Sequence, residues 1–201
     1  MKKSIFLVLT LAIPVSIFLF LKFFGSNTFE VPVLFEHGIP GCSSTNSPHK
    51  VPEFEYIGET EKNLNSKMLD GFLVFGILSG DVEDSRKRVN ELIRIQDAFY
   101  EVGSPRFVLL INGETIGYES IKELATEHGL QNTNYTIANM PNDSLVDFCR
   151  CGLAIADDKN IELDNLVLVD PERNIRGIYN LFELEQTDQL ILELKILKQM
   201  I

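Results

Sequence analysis

Phe72-Leu-Val-Phe-Gly-Ile-Leu78 runs without a charge, and two more stretches of the same kind follow it, Phe107-Val-Leu-Leu-Ile111 and Leu166-Val-Leu-Val169. Each is of strand length and rich in β-branched or aromatic residues, the pattern of strands covered on both faces. Between the first two, Val82, Val89, Leu92, Ile93, Gln96, Phe99 and Tyr100 fall on one stripe of a helix. The spacing therefore predicts a strand-helix-strand unit.

Toward the C-terminus, Ile121, Leu124 and Ala125 continue with a second helix. His128 in its last turn and Gly129 just beyond make a suitable end, so His128 is better explained by capping than by catalysis. A short strand near Tyr135 to Ala138 and a helix after Pro141 follow, since proline suits a first helical position. Ile175-Arg-Gly-Ile-Tyr179 is expected to pair with Leu166 to Val169 across a turn at Pro171 to Asn174. The last helix repeats Leu190, Leu194, Leu197 and Ile201 at three to four residues. Toward the N-terminus, Phe54 to Ile57 alternates like a short strand, and Gly58 offers a turn toward another before Leu69. The order predicts an α/β domain of thioredoxin-like fold, a central mixed sheet flanked by helices.

Ahead of that domain, Lys2 and Lys3 precede an uncharged run beginning at Ile5, in which only Thr10, Pro14 and Ser16 interrupt the apolar residues up to Leu21. Ile5 to Phe24 has about the 20 residues that cross a hydrocarbon core, and Lys22 can extend its ammonium to the interface. A cleaved secretory signal would end in a small-x-small site, which Phe23, Phe24 and Gly25 do not supply. The basic residues before the span place the N-terminus in the cytoplasm. The expectation is a single-pass protein of the inner (cytoplasmic) membrane with an extracytoplasmic C-terminal domain. Residues 1–25 form the stub and anchor, 26–52 a tether punctuated by Pro32, Pro40, Pro48, Gly38 and Gly41, and 53–201 the domain. Taking Lys2, Lys3 and Lys22 from the 18 basic residues leaves 15 against 29 acidic ones, a net charge of −14. Such a surface excludes nucleic acid and anionic lipid heads as general partners.

No phosphate loop, dinucleotide fingerprint, zinc ribbon or nucleophile elbow is present. His37, His49 and His128 are scattered. Cys42, Cys149 and Cys151 are too few for a disulfide scaffold; an oxidising compartment permits one bridge and leaves one thiol over. Cys149 and Cys151 stand two apart on an expected helix, pointing to nearly opposite sides, and read as a small buried residue and a surface one.

Leu166-Val-Leu-Val-Asp-Pro-Glu-Arg-Asn-Ile-Arg-Gly-Ile-Tyr-Asn180, followed by a helix ending in Ile-Leu, resembles the C-terminal signature of the Sco (SenC) family. Arg94-Ile-Gln-Asp-Ala-Phe99 is similar to that family's first long helix, Val51-Pro-Glu-Phe54 to its domain start, and Ser144-Leu-Val-Asp-Phe148 to its later short helix. Sco proteins have a thioredoxin fold behind a membrane anchor and deliver copper during cytochrome oxidase assembly. Their ligands are a Cys-x-x-x-Cys pair at the start of the first helix and a distal histidine. Carried over without gaps, these positions hold Asp81, Ser85 and Glu162. The family's Asp-Pro-x-x-Asp-Thr loop corresponds to Asn112-Gly-Glu-Thr-Ile-Gly117. Copper(I) selects thiolate and imidazole, whereas aspartate, serine and glutamate offer hard oxygen.

The resemblance thus implies a degenerate Sco-like protein that has lost the copper site, has no catalytic residues and no cofactor, and works by binding a protein at the membrane surface. The implied partner is an oxidase assembly factor or an active Sco protein. Two alternatives stand beside it. One is a thiol-disulfide oxidoreductase using Cys42 with Cys149 or Cys151, although no cysteine lies at a helix N-terminus, where its pKa would fall. The other is an oxygen-ligand cation site of Asp81, Glu83, Asp84 and Ser85, with Glu162. Against the cation site stands a plain helix start, with Asp or Ser capping free N–H groups and acids opposing the dipole.

Overall fold

The computed structural model describes residues 10, 12–20, 22, 30–42, 48–58, 63–78, 82–99, 103–112, 117–130, 135–157 and 160–200. Residues 1–30 and 31–201 form two compact units. In the first, residues 12–20 are helical, and Ile13, Ile17, Phe18 and Phe20 are exposed. Among the described residues no helix is long and apolar enough to cross a membrane. The rest of the span expected over residues 5–24 lies outside them.

The second unit follows the expected order. Strands β1 (Glu55–Ile57), β2 (Asn63–Asn65) and β3 (Leu73–Leu78) lead into α1 (Val82–Asp97). Then come β4 (Arg106–Ile111), α2 (Tyr118–Glu127), β5 (Tyr135–Asn139), α3 (Asn142–Asp147), β6 (Asn165–Val169), β7 (Ile175–Asn180) and α4 (Leu184–Gln199). Pro141 sits one position earlier than expected, as the residue capping α3 rather than its first. His128 caps α2, and Gly129 turns the chain with φ 88°.

The strands make one seven-stranded sheet in the order β2-β1-β5-β4-β3-β6-β7. The β3–β4 and β4–β5 pairs are parallel, and the outer pairs are antiparallel. The three apolar runs are thus β3, β4 and β6, near the centre of the sheet. Alternate side chains feed two cores, each CH₂ removed from water contributing about 0.8 kcal/mol. Val74, Leu109, Ile137 and Leu168 pack under α1, α2 and α4. Phe75, Leu110, Val167 and Val169 pack on the other face against Phe54, Leu145 and Phe148.

Asp170 organises the β6–β7 turn. It is 4% exposed and accepts from the backbone N–H groups of Glu172 and Asn174, both at 2.9 Å, from Asn174 Nδ2 at 2.9 Å and from Arg176 Nε at 2.8 Å. A buried carboxylate meeting this many donors holds the turn in a single conformation. In β7, Gly177 leaves room for the Tyr179 ring, because a Cβ there would stand 1.9 Å from the tyrosine oxygen.

Residues 31–42 and 48–52, read from the sequence as part of a tether, lie as a strap against this hairpin. Leu34 N–H donates to Ile175 O and Val51 N–H to Arg173 O, each at 2.8 Å. Arg176 Nη1 donates to Val31 O at 2.8 Å. Val31, Ile39, His49 and Val51 are buried by the contact.

Candidate functional site

The positions that the resemblance marks are Asp81, Ser85 and Glu162. Asp81 falls outside the described residues. Ser85, on the first turn of α1, is fully buried, and its hydroxyl has no hydrogen-bond partner. It therefore does not cap the helix, as the sequence had suggested, because its side chain faces the interior. Glu83 and Asp84 are exposed and pair along the helix with Arg86 at 3.6 Å and Lys87 at 3.2 Å. They face solvent and serve the helix start. Among the described residues, no three histidine, cysteine or acidic side chains are grouped closely enough to hold an ion.

Glu162 lies ahead of β6, exposed, with its carboxylate accepting from Asn165 Nδ2. Its backbone N–H donates to Ile155 O at 2.8 Å. Two residues further on, Asp164 Oδ1 accepts from Arg88 Nη2 at 2.7 Å. The second turn of α1 and the loop before β6 therefore meet through Arg88 and Asp164. The Arg88 side chain is 9% exposed and that of Asp164 48%. Its guanidinium stands 6.0 Å from the centre of the Phe182 ring, and Nε and Nη1 are buried without partners. One sequence signal pointed to it. Arg88 stands four residues before the buried Leu92, so a cation enters the apolar stripe and requires a counter-charge.

On the other face of the sheet, a wide helical turn, Phe148–Gly152, follows α3. Cys151 there is bonded to Cys42 of the strap, with Cα atoms 5.5 Å apart and a sequence separation of 109. Cys151 is half-buried, and Cys149 two residues before it is buried. The pairing was not legible because its partner lies in a stretch without periodicity. The leftover thiol, Cys149, is buried, and burial pushes its pKa up to about 12. It is a packing residue, not a nucleophile. His49 Nε2 donates to the Gly152 carbonyl at 2.9 Å. A carbonyl only accepts, so Nε2 carries the proton and the strap is latched beside the bridge. Cys151 also borders a cavity of about 350 Å³ shaped by Phe54, Met140 and Phe148.

No family model and no curated protein matches the chain. Among solved structures it is similar to BsSco, a member of the Sco family of cytochrome c oxidase assembly proteins. That match has a TM-score of 0.62 at 15% identity and covers 76% of this chain and 95% of that one. It is similar to a SCO1/SenC family lipoprotein from Bacillus anthracis, with a TM-score of 0.59 at 13% identity, covering 73% and 93%. The thioredoxin domain of a thiol-disulfide oxidoreductase from Bacteroides vulgatus aligns with a TM-score of 0.50 at 17% identity, covering 76% and 97%. The fold is thioredoxin-like. Within that thioredoxin-like frame, α1 starts where β3 ends, and the loop before β6 reaches the same end of the sheet. Among the described residues there, a buried hydroxyl, a solvent-facing carboxylate and a guanidinium offer no soft ligand of the kind copper(I) selects.

Proposed function

We propose that the protein is a Sco-like member of the respiratory oxidase assembly machinery that carries no copper and acts by contact with another protein at the membrane surface. One observation carries this reading. The junction between the start of α1 and the loop before β6 is closed by the Arg88–Asp164 pair, while the three cysteines are committed on the other face of the sheet. A scaffold held in shape by an ion pair at that junction retains a surface for recognition and lacks the thiolates for copper transfer. The exposed apolar side chains of residues 12–20 support an anchor over residues 5–24, with the domain on the extracytoplasmic side. Deleting the gene is expected to lower the amount of assembled oxidase, and a Ser85→Ala copy should restore it as well as the parent does. An unchanged oxidase level in the deletion would overturn the reading.

A second reading, thiol-disulfide exchange, is favoured by the position of the Cys42–Cys151 bridge beside the cavity at Phe54, Met140 and Phe148. An incoming thiolate would attack Cys151 Sγ, displacing Cys42 as thiolate and leaving a mixed disulfide on Cys151. Trapping of that mixed disulfide by a model peptide thiol supports it, and a bridge inert to such thiols removes it.

A further inference from the structure

At the opposite end of the sheet from α1's start, β3 and β4 begin side by side, with Leu73 in register with Arg106. The loops before them and the last turn of α4 enclose a cavity of about 250 Å³ lined by Asp70, Gly71, Phe72, Ser104, Arg106 and Lys198. Arg86, Arg88, Arg94, Arg150 and Arg176 each pair with a carboxylate, and Arg173 holds the Ser66 carbonyl. Among the described residues, Arg106 has no such partner. Lys198 bonds the Gly103 carbonyl and, like Lys195, lies over the Phe99 ring, at 5.4 and 5.6 Å. Neither lysine meets a carboxylate among the described residues. Burial lowers the Lys198 pKa, as expected of an ammonium without a counter-ion. The Ser104 hydroxyl is buried and has no partner among the described residues. Asp70 is the one acid in the lining, and it is exposed at the rim, where solvent screens it.

In a chain of net charge −11, Arg106 and Lys198 border one cavity without a carboxylate partner among the described residues, Lys198 being held only by the neutral Gly103 carbonyl and the Phe99 ring. Cations left unpaired together destabilise one another unless an anion joins them. We propose that this cavity binds a phosphate group, as free phosphate or as the monoester of a lipid headgroup. Arg106 supplies its planar fork to two oxygens, Lys198 a point charge, and Ser104 a hydroxyl donor. The general acidity of the surface does not oppose this, because the lining of the recess sets two cations, Arg106 and Lys198, against one exposed acid, Asp70.

Calorimetric titration of the full chain in neutral detergent with inorganic phosphate tests the proposal. Saturable binding is expected, weakened roughly tenfold by Arg106→Gln and by Lys198→Gln, the usual effect of removing a charged hydrogen-bond donor. Lys87→Gln, on the exposed face of α1, is expected to leave it unchanged. Competition with a short-chain phosphatidic acid distinguishes the sources. Much tighter displacement by the lipid assigns the site to a headgroup, and displacement no better than by phosphate itself assigns it to the free ion. Absence of binding to the parent chain overturns the proposal, whatever the folding of the variants. Binding that a folded Arg106→Gln, Lys198→Gln double variant retains overturns it as well.

Discussion

At the scale of single residues, the chemistry of the domain is governed by which polar groups are buried. Arg88 is nearly enclosed, and Asp164 is its only carboxylate among the described residues. Asp164→Asn leaves a buried cation short of its counter-charge and should cost about 1–3 kcal/mol of unfolding free energy. Asp147→Asn breaks the pair with Arg150, whose side chains are 40% and 72% exposed, and should cost less than about 1 kcal/mol. Urea unfolding of both variants checks the contrast, and equal losses would refute the role given to Arg88. Cys149 predicts a pH effect. Its folded pKa is raised, so the folded state keeps the proton while the unfolded state releases it near its ordinary value of about 8.5. Its contribution is full below that pH and is lost as pH rises toward about 12. Stability is therefore expected to decline through this alkaline window, and Cys149→Ala should flatten the decline. Tyr179, raised by burial and by its bond to Glu193, acts in the same direction at higher pH.

At the scale of elements, most of the fold was legible because the apolar runs are continuous and the helices have regular stripes. Phe72 to Leu78, Phe107 to Ile111 and Leu166 to Val169 became β3, β4 and β6, and the hairpin turn was marked by Pro171 and Asn174. The strap was less legible. Val31, Ile39, His49 and Val51 show no period but are buried, and the strap is held by single hydrogen bonds of Leu34 and Val51 to the β6–β7 hairpin and of His49 to Gly152 rather than by a repeating face. The same aperiodicity hid the partner of Cys151. Because the Cys42–Cys151 bridge spans 109 residues of sequence, its removal releases much chain entropy in the unfolded state. Cys42→Ser is expected to cost about 2–5 kcal/mol in denaturant unfolding. It should also expose the strap to limited proteolysis ahead of the sheet. A strap that stays protected in the variant would show that the hydrogen bonds of Leu34, His49 and Val51 suffice without the covalent link.

At the scale of the molecule, the sequence resemblance points to Asp81, Ser85 and Glu162; Asp81 lies outside the described residues, Ser85 is buried in α1 and Glu162 is exposed ahead of β6. The contact between α1 and the loop before β6 is made by Arg88 and Asp164, which no ligand motif names, because a motif search looks for donors to a metal and not for an ion pair between elements. A thioredoxin-like scaffold without soft donors at that junction is the central claim, and copper(I) titration of the full chain against a competing chelator tests it most directly. With the Cys42–Cys151 bridge intact, the account predicts that the chelator keeps the metal, since the described residues at the junction offer hard oxygen and a guanidinium. Retention of one equivalent of copper(I) by the chain, abolished by Ser85→Ala or Glu162→Gln, would contradict it.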